Sequence, residues 1–181
     1  MSNYFKILRP GINSTFQDLG RFGLQHLGIV PSGCMDRSLF YLANQLVGNE
    51  VFEGVLEFAY QGPLLELESE SAEIAIAGKV NFNVIDKNGK IKQGVCNQNF
   101  GIYKGEKIDI ISTVKSVYGY LSIYGGFKLD KVKESISTLV RAKIGSNDGE
   151  KLKLGEKIFY NQIRSSNSKK KIEFNFDENN T

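Results

Sequence analysis

Two cysteines and one histidine are the only such metal ligands in 181 residues. Cys34 and Cys96 are too few for a disulfide framework. With His26 as the single imidazole they also fall short of a four-ligand zinc site, which draws on paired Cys or His at short spacing. Both read as free thiols, and no metal is expected. Long apolar runs are missing as well: nothing approaches the roughly 18 apolar residues of a membrane span. Residues 1–6 lack the basic stretch, apolar run and small-residue cleavage site of a secretory signal. The expected location is cytoplasmic, with no membrane partner, and an Asn13-Ser14-Thr15 glycosylation acceptor carries little weight without such a signal. Charge of one sign is scarce too. Lys+Arg number 23 against 20 Asp+Glu, a net charge of +3, and the basic residues are interspersed with acids instead of forming a stripe. That argues against nucleic acid as a partner. The chain has no G-x-x-x-x-G-K-[ST], no G-x-G-x-x-G after a strand and no G-x-S-x-G. Asn147-Asp148-Gly149 lacks the upstream acids of a calcium loop. A serine hydrolase with its own triad is therefore not expected, and any ATP site must be of an unfamiliar kind or shared with another subunit.

What is present reads mostly in period two, the spacing that sends alternate side chains to opposite faces of a strand. Val80, Phe82 and Val84 alternate with Asn81 and Asn83, while Tyr118, Tyr120 and Tyr124 share a face opposite Leu121 and Ile123. Further strands are expected near 5–9, 54–60, 64–68, 73–77, 107–112 and 152–159. Asn88-Gly89 supplies the positive φ angles of a tight hairpin between Val84-Ile85 and Ile91. One segment breaks the pattern. Leu39, Leu42, Ala43, Leu46 and Val47 recur at three- and four-residue spacing, so an amphipathic helix is expected over about 36–48, with Asp36 capping its start and Gly48-Asn49 ending it. The fold class is mainly β: a closed or partly closed barrel with this one helix plugging or flanking it. Residues 1–163 make one domain, and 164–181 a linker followed by a strand at Ile172, Phe174 and Phe176. That strand either pairs back onto the domain or awaits a partner that is absent or supplied by another chain.

Polar and glycine residues are densest between Thr15 and Asp36. Gly20, Gly23 and Gly28 permit sharp turns or close approach of the backbone to a ligand, and Gln17, Asp18, Arg21, Gln25 and His26 supply donors and acceptors among them. The run reads as a binding site, or as a loop held by an Asp18–Arg21 ion pair.

This run resembles the opening of the biotin-dependent carboxyltransferase family that includes the 5-oxoprolinase C subunit, also called allophanate hydrolase subunit 2. The likeness rests on Thr15, Gln17-Asp18-Leu19-Gly20-Arg21, Gly23, Gln25-His26-Leu27-Gly28, Ser32-Gly33 and Met35-Asp36. It continues through Leu42-Ala43-Asn44, Leu46-Val47-Gly48-Asn49, Leu56-Glu57, Gly62-Pro63, Ala77-Gly78, Gly125-Gly126-Phe127, Ser137-Thr138 and Arg141-Ala142. Departures are Phe22 in place of proline, Cys34 of alanine, Gln61 of glycine and Ile136 of arginine. Family members are much longer, so the likeness is to their N-terminal half.

The resemblance implies a cyclophilin-like β-barrel and a subunit of an ATP-dependent 5-oxoprolinase. Such a subunit would help open the 5-oxoproline lactam to L-glutamate together with subunits A and B, a KipI-like B subunit foremost. ATP would sit in a shared or partner-supplied site. The alternatives are a urea carboxylase or allophanate hydrolase component, in which biotin would enter, and a non-catalytic KipA-like regulatory protein or truncated remnant. A planar amide or urea substrate suits two-pronged donors and acceptors. His26 and Glu57 are then the candidate catalytic groups, and Gln17, Asp18, Arg21, Gln25, Ser32 and Arg141 the candidate substrate-binding ones. Each has a structural alternative: His26 bonded in a barrel wall, Glu57 facing water, Ser32 a turn residue, Arg141 simply on the surface.

Overall fold

The computed structural model describes residues 2–161 and 170–172. In chain order the elements are β1 (Tyr4–Arg9), β2 (Asn13–Gln17), α1 (Arg37–Val47), β3 (Val55–Ala59), β4 (Leu64–Leu67), β5 (Ser71–Ala77), β6 (Val80–Ile85), β7 (Ile91–Gln93), β8 (Asn99–Tyr103), β9 (Lys107–Thr113), β10 (Tyr118–Ile123) and β11 (Lys157–Phe159). Short 3-10 turns lie at Gln25–Leu27, Val140–Ala142 and Asn147–Gly149. The chain is mainly β with one α-helix, as expected, but the described strands do not close into a single barrel. They divide into a six-stranded sheet, β11-β1-β4-β9-β6-β7, and a five-stranded sheet, β2-β3-β10-β5-β8.

The sheets share one core. Phe5, Ile7, Leu65, Leu67, Phe82, Ile108 and Ile110 from the larger sheet pack with Phe16, Leu56, Phe58, Ile74, Ile76, Leu121 and Ile123 from the smaller. Each fully buried Leu, Ile or Phe contributes about 2 kcal/mol, so this layer carries most of the apolar stabilisation. α1 lies on the other face of the five-stranded sheet. Its Leu39, Leu42, Ala43, Leu46 and Val47 pack with Val55, Ala75, Ala77 and Tyr120. β3 is consequently buried along its whole length. Leu56 and Phe58 face the second sheet, whereas Val55, Glu57 and Ala59 lie on the helix side.

Local signals set the helix ends. The Asp36 carboxylate accepts from Leu39 N–H at 3.0 Å, and Gly48 closes the helix at φ 77°. In the β6–β7 hairpin only Gly89 of the Asn88-Gly89 pair has positive φ, at 83°. Asp86 Oδ1 accepts from the N–H groups of Asn88 and Lys90, making a longer turn than the two-residue one expected. Of the strand expected over 152–159, only Lys157–Phe159 forms.

β2 and β8 had no apolar alternation to announce them. The free edge of β2 is covered by the chain itself, through Thr138 N–H to Phe16 O at 2.9 Å and Leu152 N–H to Ser14 O at 3.0 Å. Of the terminal strand, residues 170–172 lie against the start of β8: Asn99 N–H donates to Lys170 O and Ile172 N–H to Asn97 O, each 3.1 Å. Ile172 joins the cluster around α1. The linker over 164–169 and the strand positions 173–176 fall outside the described residues.

Candidate functional site

Residues 18–34 leave the end of β2 and return to it as a necked loop. The neck is two strands of backbone in direct contact: Arg21 N–H donates to Pro31 O and Cys34 N–H to Asp18 O, both 2.8 Å. Glycine is required there. A Cβ on Gly20, at φ 94°, would lie 2.5 Å from Pro31 O, and one on Gly33, at φ 104°, would lie 2.7 Å from Leu19 O. Both distances are shorter than real Cβ contacts, so these glycines admit the opposing chain and not a ligand.

Gln17, Asp18, Arg21 and Ser32 all turn toward one distant segment, residues 132–138. The buried Gln17 amide donates to Thr15 Oγ1 at 2.9 Å and to Thr138 O at 3.1 Å, and its Oε1 accepts from Ser137 Oγ. Asp18 accepts from Gly20 N–H at 2.7 Å, Ser135 Oγ at 2.6 Å and Ile136 N–H at 2.8 Å. Arg21 is 2% exposed. Its guanidinium donates to Ser32 Oγ at 2.7 Å, Val132 O at 3.4 Å and Ser137 O. Ser32 passes a hydrogen bond on to Pro31 O, and Gly33 N–H donates to Ser137 Oγ at 2.8 Å. Burial lowers the Arg21 pKa, and the nearby Asp18 charge opposes that shift. Asp18 and Arg21, read from sequence either as substrate-binding groups or as an ion pair, instead clamp the same stretch of backbone. Ile136, where the resemblance has arginine, is 5% exposed and packs in the inter-sheet core against Gly54.

Glu57 belongs to a second, separate cluster on the helix side of the sheet. It is 4% exposed, and its Oε2 accepts from Met35 N–H at 2.8 Å and from the Tyr120 hydroxyl at 2.7 Å. Tyr120 Oη in turn accepts from Asp36 N–H at 2.8 Å. Burial pushes the Glu57 pKa up and Asp36 adds to the rise, while the two donated hydrogen bonds oppose it. Burial, then the Glu57 charge, pushes the Cys34 thiol up to about 11. Burial likewise raises the Tyr120 pKa, helped by Glu57. Glu57 thus neither faces water nor shares a cavity with Arg21; it holds the turn that leads into α1.

Gln25, His26 and Arg141 lie outside both clusters. Gln25 and His26 form an exposed 3-10 turn at the loop tip, and Arg141 is exposed on another such turn just beyond Thr138. Sequence reasoning missed Tyr120, Ser135, Ser137 and Thr138 as members of the two networks. The period-two pattern did place Tyr120 and Glu57 on the face opposite the core, but their pairing across β3 and β10 is set by register. Ser135 carries no local signal, and Ser137-Thr138 stood out only as part of the resemblance.

The base of the polar loop offers no cradle for ATP or biotin. Hydrogen-bonding groups that would hold a phosphate or a ureido ring are bonded inward to protein, and the room beside Gly20 and Gly33 holds backbone carbonyls. A crevice of about 170 Å³ lies elsewhere, lined by Ile7, Phe16, Leu129 and Leu152 together with the polar Lys128, Asp130, Asn147, Glu156 and Lys157. It contains none of the expected site residues.

Residues 27–180 match the family described as Carboxyltransferase domain, subdomain A and B. The chain is 32% identical over 170 residues to a urea amidolyase of Lachancea kluyveri, covering 91% of this chain and 9% of that protein. It is 30% identical over 152 residues to the 5-oxoprolinase C subunit of Haemophilus influenzae, covering 84% of this chain and 48% of that one. The chain therefore spans about half of one relative and a small part of the other. Among solved structures, the urea carboxylase of Kluyveromyces lactis superposes with a TM-score of 0.82 at 33% identity, covering 90% of this chain and 14% of that one.

Proposed function

Since the chain belongs to the carboxyltransferase domain family, subdomains A and B, we propose that it serves as a subunit of an ATP-dependent 5-oxoprolinase. In this reading it helps open the 5-oxoproline lactam to L-glutamate and depends on subunits A and B. The observation that carries the reading is the direction of its polar groups. Gln17, Asp18, Arg21 and Ser32 are bonded inward around residues 132–138, so what the loop offers outward is its tip, with Gln25 and His26 exposed. An imidazole beside an amide is suited to proton transfer or to orienting a planar amide once a second surface closes over it. ATP, which finds no cradle in this loop, is held by a partner. The likeness to the 5-oxoprolinase C subunit of Haemophilus influenzae supports the choice of reaction.

A second reading has its own support in the likeness to the urea amidolyase and urea carboxylase. There the substrate is urea and a biotin carrier delivers the carboxyl group. Purified subunits A and B, mixed with this chain, separate the two. The first reading expects ADP release that requires 5-oxoproline and falls to background when the chain is omitted. The second expects turnover only when urea, bicarbonate, ATP, a biotin carboxylase and biotin carrier protein are supplied together. ADP release unchanged by omission of the chain defeats the first reading.

A further inference from the structure

The necked loop is rigid at its base and greasy at its tip. Phe22, Leu27 and Val30 are 62%, 58% and 52% exposed, although large apolar side chains gathered on one loop are what a monomer avoids. The tip has fixed neighbours. Arg21, directly before Phe22, donates from Nε to Val132 O. The backbone between Ser135 and Thr138 is bonded to Asp18, Gln17 and Phe16 O. Two short hairpins flank that backbone, bridged at Val132–Ser135 and Leu139–Ile144. Val132 and Val140 are exposed on these hairpins, at 37% and 38%, and Arg21 ties Val132 to the base of the loop.

Charge singles this end out. Between Lys128 and Lys143 there are five cations against two carboxylates, an excess equal to that of the whole chain. Lys131, Lys133 and Arg141 are exposed there, and among the described residues none of the three is in an ion pair. An apolar centre with a cationic rim is the composition of a protein-docking surface, the centre giving affinity and the rim steering the encounter.

We propose that the tip of the loop over 22–30, with the hairpins at 132–135 and 139–144, docks an acidic, apolar-centred face of another protein subunit. The proposal rests on the multi-subunit reading above and adds the place and chemistry of the contact. The opposite end of β2, some five residues or about 17 Å away at strand rise, provides a control: Ile12 and Tyr60 are equally exposed there, each at 60%.

The test titrates the full chain against purified subunits A and B from the genome that encodes it, at low and high salt. Phe22→Ser with Leu27→Ser is expected to weaken binding to one of them at least about tenfold. Lys131→Glu with Lys133→Glu and Arg141→Glu is expected to slow association about tenfold and flatten its salt dependence. Tyr60→Ser should bind as the wild type does. All substituted side chains are exposed, so unchanged unfolding midpoints will show that each variant folds. Binding lost through Tyr60→Ser but indifferent to the loop and rim variants overturns the surface and leaves the reading standing. Failure of both partners to bind the wild type, alone or together, defeats both. Mixed-sequence RNA bound as tightly as either partner would also overturn the proposal.

Discussion

Replacing Arg21 with alanine strips donors from Val132 O, Ser32 Oγ and Ser137 O. A buried acceptor left unpaired costs about 1–3 kcal/mol, with relief where water can enter, so a loss of about 3 kcal/mol is expected in urea unfolding. Arg21→Lys should recover only part of it, because an ammonium cannot fork between separated acceptors. An Arg21→Ala protein of unchanged stability would return this residue to the candidate ligand-binding groups.

Glu57 yields a pH signature of definite sign. Its folded-state pKa is raised above the unfolded value, so the folded protein binds this proton more tightly. The associated stability is present below the unfolded pKa of about 4.3 and is lost as pH rises through the folded value. Glu57→Gln keeps an oxygen for Met35 N–H and the Tyr120 hydroxyl but does not titrate. The stability of the wild type relative to this variant is therefore expected to fall as pH rises above the unfolded value of about 4.3 in paired urea titrations. A difference independent of pH would contradict the burial assigned to Glu57. At this scale Asp36 and Gly48 were legible, because a helix cap is a bond over three residues. Arg21 and Asp18 were legible as special but not in their role, since the segment they clamp lies more than 110 residues away in sequence.

The loop neck is the element most open to test. Gly20→Ala and Gly33→Ala would each drive a methyl group into backbone at positive φ, whereas a methyl group on Gly23, at φ 76°, meets nothing within 4 Å. Gly23→Ala should cost about 1 kcal/mol from backbone strain alone. Each neck substitution should cost clearly more, about 3 kcal/mol, when measured by thermal or denaturant unfolding. Equal effects at all three positions would mean that the neck is looser than described. Apolar periodicity revealed α1 and the strands that face the core on alternate residues. It failed at β2, whose Thr15 and Gln17 are buried in a polar network and so look like loop residues. It also failed over 152–156, where only Leu152 reaches the core.

On the scale of the whole molecule, the pattern of short strands gave the class correctly but not the closure. Whether a twisted set of strands shuts into one barrel or stays as two facing sheets depends on which edges pair, and side-chain alternation is silent on edges. The covered edge of β2 and the burial of β3 between two layers explain why a polar-looking early segment and a fully buried glutamate both serve the architecture. In the proposed reading the exposed loop tip, carried on a base fixed by hydrogen bonds to residues 132–138, is what this chain offers a partner. The most direct measurement follows ADP release from fixed amounts of subunits A and B, with 5-oxoproline, as this chain is added. A rise that saturates at a fixed molar ratio, and that is weakened by Phe22→Ser with Leu27→Ser, is the expected result. A rate that stays flat across the titration would contradict the account.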